Sequence, residues 1–232
     1  MSVRHFTRRD FLQAGGLVAC GTAALGAQGA LALASEKGDS TGASGSNSLG
    51  IIDALAGRRT LHGLEADQYD PDALVTDEEL QAILTAGFSA PSAVAQQTLE
   101  FVVVTDRNAM LPIIDHNENA NELKTCPMVI VLVEHDADGG HPRFYQYDSG
   151  IAAMAMVAQA TALGLCTCIV SMKQTDDSNE TIYYDSIGLA QGSDEYHPQL
   201  MVTLGHPAVD AVTGASVDNY DEARIHDQTI GA

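Results

Sequence analysis

The chain is poor in positive charge, and that scarcity limits its partners. Its 232 residues include 11 lysines and arginines against 31 aspartates and glutamates, which gives a formal net charge of −20 at pH 7. A chain of this charge repels nucleic acid and anionic membrane surfaces. Nucleic acid is therefore excluded as an expected partner.

Paired cysteines and clustered histidines are also missing. Of the four cysteines, Cys20 lies near the amino terminus and the others are Cys126, Cys166 and Cys168, with no C-x-x-C pair. Three cysteines without such spacing make a poor disulfide framework and a poor zinc site, so packing as small buried residues is expected. The histidines are scattered, with no two of them at i, i+4 spacing, so no metal site is predicted.

Two motifs of common enzyme classes are absent or out of context. No G-x-G-x-x-G follows a predicted strand, so a Rossmann dinucleotide site has no support. The segment Gly38–Gly42 matches G-x-S-x-G but lies in a Ser- and Gly-rich stretch without the strand, turn and helix that a nucleophile elbow needs. A hydrolase is the weakest of the functional hypotheses.

The amino terminus has the features of a targeting segment. Arg8 and Arg9, followed by Phe11 and Leu12, resemble a twin-arginine export signal. We predict a signal peptide over residues 1–34, a flexible linker over 35–49 and one domain over 50–232, in a chain exported across the cytoplasmic membrane. A retained membrane anchor and a lipoprotein acylated at Cys20 are the alternatives.

Hydrophobic periodicity predicts a domain in which helices and strands are interspersed. Helices are predicted over Ile51–Leu61, from a capping box at Thr76 to Phe88, over Asn108–Ile114 and between Tyr147 and Leu165, and strands over Phe101–Val104, Met128–Val133, Cys166–Ser171 and Leu200–Leu204. The long helix is apolar nearly all round but too short and interrupted to span a membrane. The fold class is therefore α+β, a mixed sheet packed with helices around a long central helix.

A turn of small and amide residues, Ser89–Gln97, joins the second helix to the first strand of the domain. Such a turn leaves backbone N–H groups and short polar side chains open beside a rigid strand. We expect it to contact the flat edge of a ligand.

Five segments in this order resemble the nitroreductase family. The sequence Arg58-Arg59-Thr60 resembles its opening R-R-S, Ala90–Ala93 its A-P-S-A turn, Gln97 and Phe101 the Q and F of Q-P-W-x-F, Asp148–Gly164 its central helix, and Leu204–Ala208 its terminal L-G-Y-P-A. The resemblance implies an intertwined α+β homodimer with FMN at the subunit interface. It also implies chemistry centred on the flavin, with no catalytic side chain.

The resemblance further implies which residues bind the cofactor. They are Arg58, Arg59, Thr60 and His62 from one subunit, Pro91, Ser92, Ala93, Ala95 and Gln97 from the other, and the backbone at Val170, Ser171 and Met172 facing flavin N5. Arg58 would meet the N1 and O2 edge of the flavin and raise its reduction potential. Ala95, Thr98 and Leu99 replace the usual Asn, Pro and Trp, and beyond residue 208 only Arg224 is basic.

The resulting prediction is an exported FMN-dependent oxidoreductase that reduces nitro, quinone-like or other conjugated acceptors. The alternative is a non-catalytic protein of the same fold that acts as a binding or carrier protein. A small-molecule acceptor is the expected partner in the first case, and the electron donor is left open.

Overall fold

A computed structural model describes residues 3–6, 51–58, 60–61, 69–116, 120–136, 142–172 and 195–208. The predicted linker, most of the predicted signal peptide with Cys20, and the residues after 208 with Arg224 lie outside these ranges. The G-D-S-T-G segment also lies outside them.

The described helices agree with those predicted from periodicity. They are α1 (Ile51–Gly57), α2 (Asp77–Phe88), α3 (Arg107–His116) and α4 (Tyr145–Ala162), with short 3₁₀ turns at Ala93–Ala95, Asn121–Lys124 and Pro142–Phe144. The first helix ends at Gly57 and not at Leu61 as predicted, because the chain extends into a β-bridge at Thr60.

Five described strands form one sheet. They are β1 (Val3–Phe6), β2 (Leu99–Val104), β3 (Met128–His135), β4 (Cys166–Ser171) and β5 (Tyr196–Gly205), in the order β1-β2-β3-β5-β4. All four ladders are antiparallel, and a single parallel bridge joins Thr60 to Thr167 beyond the β4 edge. A mixed sheet contains both parallel and antiparallel pairs, and within the described residues this bridge is the one parallel pair.

Strand β1 was not anticipated from the sequence. It lies inside the predicted signal peptide and pairs with the outer edge of β2, with Val3 opposite Val104 and Phe6 opposite Phe101. Cleavage after residue 34 would remove this strand. The processed chain would then carry β2 as an outer strand with unpaired backbone groups.

The sheet buries a separate apolar layer on each face. On one face α2 and α4 cover Phe101 and Val103 of β2 together with Ile130 and Leu132 of β3. On the other face lie Val102, Val104, Met110 of α3 and the loop residues before β3. The alternation of side chains along each strand produces the two layers, and β2 and β3 contribute apolar side chains to both of them.

The long helix α4 is the central helix of the described fold, as its composition predicted. Ala152, Ala153, Met156 and Ala160 are buried against the sheet, and small side chains at this face let the helix approach it closely. No helix within the described ranges is long and apolar enough to cross a membrane.

The register brings four strand ends to one end of the sheet. Leu99 at the start of β2 pairs with Glu134 near the end of β3, and Glu134 pairs with His197 near the start of β5. Leu200 of β5 then pairs with Ser171 at the end of β4. The connection that precedes β2 and the residues that end β4 therefore lie at the same end of the sheet.

Candidate functional site: the turn before β2

The turn between α2 and β2 is closed by its own hydrogen bonds. The N–H of Ala95 donates to the Ser92 carbonyl at 3.0 Å, and the N–H of Gln96 donates to the Ala93 carbonyl at 3.3 Å. The N–H of Gln97 donates to Ser92 Oγ at 2.9 Å. These N–H groups were expected to be open to a ligand, and that expectation is wrong because Ser92 and Ala93 accept them.

The turn carries an unusual backbone conformation. Val94, Ala95 and Gln97 have φ angles of 55°, 57° and 51°, and they are the non-glycine residues with positive φ among the described residues. The left-handed region costs roughly 1–2 kcal/mol for a residue with a Cβ, and such residues cluster at functional sites. Val94 is also 74% exposed, so packing of its side chain does not explain its place in the turn.

Asp148 fixes the start of the turn. This residue lies in the first turn of α4 and is 8% exposed, and its two carboxyl oxygens accept the N–H of Ala93 at 3.1 and 2.9 Å. An N–H bond to a carboxylate is stronger than one between neutral groups. The position of the turn is therefore coupled to the position of the central helix.

Glu134 fixes the end of the turn. Its side chain is 0% exposed at the end of β3, and it accepts hydrogen bonds from Thr98 Oγ1 at 2.6 Å and from Ser149 Oγ at 3.2 Å. Burial raises the pKa of this carboxyl, the hydroxyls of Thr98 and Ser149 lower it, and the nearby charge of Asp148 raises it, with a net upward shift. Thr98 follows Gln97 directly, so the turn is tied to a buried acid at this end.

A small cleft with a cavity volume of about 30 Å³ opens beside the turn. Its apolar wall is formed by Phe88, Pro91, Leu99, Phe101 and Ala152, and its polar groups are Ser92, Gln97 and Asp148. Among the described residues, no basic side chain lines it. The cleft can therefore accept an apolar group that carries a hydrogen-bond donor.

A glycine of α2 allows this wall to close. A Cβ at Gly87 would lie 2.8 Å from Phe101 Cζ and 3.0 Å from Met156 Cγ, closer than real side chains approach. The rings of Phe88 and Phe101 meet edge to face with centroids 4.7 Å apart. Gly87 is therefore required by the contact between α2, β2 and α4.

The arginine segment lies at the opposite side of the sheet. Arg58 Nη1 donates to Thr60 Oγ1 at 2.8 Å, and Leu61 N–H donates to the Thr167 carbonyl at 3.2 Å. Between β4 and β2 lie three strand spacings, about 14 Å. Arg58 and Thr60 do not meet the turn within one chain, while Arg59 and His62 lie outside the described residues.

The predicted residues at the end of β4 offer little side-chain surface. Val170 and Met172 are buried in the apolar layer on the α3 side of the sheet, and Ser171 is exposed. The side chains of Val170 and Met172 are committed to the core, which is compatible with the expected use of backbone groups alone. All three residues lie at the same end of the sheet as the turn, and two strands separate them from β2.

Two residues of this site were missed in the sequence. The sequence indicates Asp148 only as the start of the central helix, and Glu134 lies just beyond the predicted strand Met128–Val133. The available signal was a carboxylate directly after the apolar run Met128–Val133. A charged residue is rarely buried without a partner, so such a position indicates a buried polar contact. Thr98 was noted as a departure from the family pattern, and its hydroxyl is the partner of Glu134.

The described cysteines and histidines behave as structural residues. Cys126 and Cys168 are free and buried, and burial raises the pKa of each thiol to about 12. His135 Nδ1 lies 3.1 Å from Glu100 Oε1 and its ring stacks on Tyr196. No group of three metal-ligating side chains occurs in the part of the chain that the structure describes.

The sequence and the fold were compared with known proteins. A model described as the nitroreductase family matches residues 68–122 and 114–206, which together span more than half of the chain. A Methanothermobacter thermautotrophicus protein named as an NADH dehydrogenase/NAD(P)H nitroreductase is 26% identical over 176 residues, covering 76% of this chain and 85% of that protein.

Two solved structures share the fold. An FMN-dependent nitroreductase from Clostridium difficile superposes with a TM-score of 0.64 at 23% identity, over 77% of this chain and 99% of the other. A nitroreductase from Desulfovibrio desulfuricans, solved in complex with FMN, gives a TM-score of 0.62 at 19% identity, over 78% and 97% of the two chains. At these identities the likeness establishes the α+β fold.

Proposed function

Because the chain belongs to the nitroreductase family, we propose that it is an FMN-dependent oxidoreductase that reduces nitro, quinone-like or other conjugated acceptors. The observation that carries the proposal is the turn before β2, whose left-handed residues are fixed at both ends by buried carboxyls. Strain of this kind persists where the surrounding structure enforces it, which is typical of ligand sites.

The residues of the chain fit a flavin at the level of chemistry. Bound FMN would supply two-electron transfer through N5 between a reduced donor and the acceptor. Arg58 would hold this group by offering a fixed guanidinium fork to its N1 and O2 edge, where negative charge collects on reduction. Since the N–H groups of Ala95, Gln96 and Gln97 are used within the turn, its contact with the ring edge falls to the exposed side chain of Gln97.

We propose a homodimer in which the turn of one subunit meets Arg58, Arg59, Thr60 and His62 of the other. The separation of the turn from Arg58 within one chain supports a site completed by a second copy. The outward face of α4 supports it as well, because Tyr147 is 68% exposed and Ile151 46% exposed. Neighbouring apolar residues on a surface helix mark an interaction face.

An Ile151→Glu variant tests the dimer. Placing a charge on the outward face of α4 should shift the species measured by analytical ultracentrifugation from dimer to monomer. A matched Leu74→Glu variant, at a 71% exposed position before α2, should remain dimeric. A dimer that persists in the Ile151 variant would remove the α4 face from the interface.

Arg58→Ala tests the cofactor assignment. This variant should lose FMN on gel filtration while keeping its thermal unfolding transition, because the side chain lies outside both apolar layers. Arg143→Ala removes an exposed arginine near α4 and should retain FMN. Equal FMN retention in the two variants would contradict the role of Arg58.

Turnover separates the enzyme from the carrier protein. The purified wild-type chain with FMN should oxidise a reduced donor steadily when a nitroaromatic or a quinone is added. NADH, NADPH and a reduced viologen should be compared as donors, because nicotinamide nucleotides are scarce outside the cytoplasm. Saturable FMN binding without turnover on any donor would favour the non-catalytic alternative.

Export is proposed on the residue pattern of the amino terminus. Expression of the full chain in a host with and without a twin-arginine translocase should give a processed protein that begins at Ser35 only in the first host. Amino-terminal sequencing reads this directly. A chain that keeps Met1 in both hosts would contradict export, and an acylated Cys20 would identify the lipoprotein.

A further inference from the structure

We propose that Glu134 and Asp148 are a pair of positioning carboxyls that clamp the two ends of the Ser92–Gln97 turn, and that the proton on Glu134 keeps the clamp closed. The inference rests on the proposed function only in naming FMN as the ligand of the turn. It predicts that FMN affinity falls as Glu134 loses its proton.

The clamp joins three elements at one end of the sheet. Asp148 of α4 binds the N–H of Ala93 at the start of the turn, and Glu134 of β3 binds the hydroxyl of Thr98 after its end. Ser149, the residue after Asp148, donates to the other oxygen of Glu134 at 3.2 Å. Movement of either carboxyl therefore displaces the turn and the first turn of α4 together.

The two carboxyls differ in the partners that they can use. Both oxygens of Asp148 accept from one backbone N–H, which can only donate, so a proton on either oxygen would weaken one of these contacts. Glu134 faces two hydroxyls, and a hydroxyl can donate or accept. Glu134 is therefore the carboxyl that can hold a proton without losing a hydrogen bond.

Burial makes the proton on Glu134 favourable. Glu134 is fully buried, and burial together with the charge of Asp148 outweighs its two hydrogen bonds and raises its pKa. No described lysine or arginine forms an ion pair with it. Two carboxylates in such surroundings repel each other, and one of them keeps its proton to a higher pH.

The other titratable groups near Glu134 come from two elements. Tyr145 of α4 donates its hydroxyl to Asp136 Oδ1 at 3.1 Å, just beyond β3. His197 of β5 is the pairing partner of Glu134 across the ladder, and its ring lies 5.6 Å from the Tyr145 ring. The test must therefore separate Glu134 from His197.

The first arm of the test measures FMN affinity against pH. Titration followed by flavin fluorescence at about pH 5.5 and about pH 8.5 should show wild-type binding weakened by about tenfold at the higher pH, because an ionised Glu134 favours open conformations in which water reaches its carboxylate. Glu134→Gln, which is neutral at both values, should bind equally at both. His197→Gln should keep the wild-type pH dependence.

Thr98 provides a matched pair of variants. Thr98→Val removes the hydroxyl that faces Glu134 and should weaken FMN binding, by about tenfold, at both pH values. Thr98→Ser keeps the hydroxyl and should bind like the wild type. If Thr98 acted only by packing its methyl group, Thr98→Ser would lose that group and would not restore FMN binding.

The second arm needs no ligand. Amide hydrogen exchange of Ala93, followed by NMR at one pH, should be about tenfold faster in Asp148→Ala than in the wild type, while Asp115→Ala on the exposed side of α3 leaves it unchanged. Asp148→Asn, which retains one neutral acceptor, should lie between them and serves if the alanine variant does not fold.

The outcomes separate the inference from the proposed function. If the wild-type chain takes up no FMN while the exchange of Ala93 still depends on Asp148, the flavin assignment is wrong and the clamp stands. Unchanged Ala93 exchange in Asp148→Ala and Asp148→Asn would overturn the clamp even if FMN binds. Wild-type pH dependence in Glu134→Gln would overturn the role of its proton.

Discussion

The same substitution at two neighbouring positions of the turn should change stability in opposite directions. Ala95 has a φ of 57° and Ala93 a negative φ, and the two residues lie in one short 3₁₀ segment. Ala95→Gly should raise the free energy of unfolding, and Ala93→Gly should lower it. Neither change removes more than one methyl group, and Ala95 is exposed.

The magnitude follows from two opposing effects. The left-handed region costs alanine roughly 1–2 kcal/mol, a cost that glycine avoids. Glycine in turn loses more backbone entropy on folding, roughly 0.5–1 kcal/mol relative to alanine. Ala95→Gly should therefore gain about 0.5–1 kcal/mol, whereas Ala93→Gly has no left-handed cost to relieve and should lose about 0.5–1 kcal/mol.

Differential scanning calorimetry resolves this difference. In a domain of this size, 1 kcal/mol moves the melting temperature by about 2–4 °C, so the two variants should melt on opposite sides of the wild type, about 3–5 °C apart. A third variant, Val94→Gly, should also melt above the wild type. If Ala95→Gly and Ala93→Gly lower the melting temperature alike, the turn is not left-handed at Ala95.

Three further predictions concern the rest of the fold. Thr76→Ala should lower the free energy of unfolding by about 1 kcal/mol, because Thr76 and Glu79 close a capping box at the start of α2. Urea denaturation measures this, and a loss no larger than that of Thr85→Ala, at an exposed position, would contradict it. The pKa of Glu134 is raised in the folded chain, so the stability that it contributes is present below its ordinary pKa of about 4.5 and is lost as pH rises through the folded pKa. Glu134→Gln should therefore melt at a higher temperature than the wild type at neutral pH, and its melting temperature should depend less on pH. Equal pH dependence of the two melting temperatures would refute this. Iodoacetamide at about pH 8 should leave the buried thiols of Cys126 and Cys168 unmodified in the native chain, because burial raises the pKa of each to about 12. Alkylation of either thiol, detected by mass spectrometry after a short exposure, would contradict this.

Local signals in the sequence were sufficient to predict the four helices, strands β2 to β5 and the position of the turn. Thr76 with Glu79 marks the start of α2, and both hydrogen bonds of the capping box are present. The apolar runs that begin at Phe101 and Met128 are strands because β-branched residues fill both faces of the sheet. Each of these features depends on residues close to one another in the chain.

The site depended on contacts that no local signal reports. Left-handed conformations are usually predicted from glycine, and here Val94, Ala95 and Gln97 adopt them because Asp148 and Thr98 hold the ends of the turn. The burial of Glu134 follows from the strand register and from the position of α4, which sequence spacing does not give. The distance between Arg58 and the turn likewise follows from the strand order.

Strand β1 was missed for a different reason. Residues 3–6 lie inside the predicted leader and also pair with β2 in the full chain. A short segment can do both, because an edge strand is held mainly by backbone hydrogen bonds and leaves little signal in the sequence. The choice between them depends on whether processing occurs.

Flavin uptake by the purified wild-type chain tests the central claim most directly. After addition of FMN and gel filtration, the protein fraction should be yellow, with absorption bands near about 380 and about 450 nm that are typical of bound flavin. The bands should rise with added FMN to a plateau and bleach when a reduced donor is supplied without acceptor. A colourless protein fraction at saturating FMN would contradict the assignment of this chain as an FMN-dependent oxidoreductase.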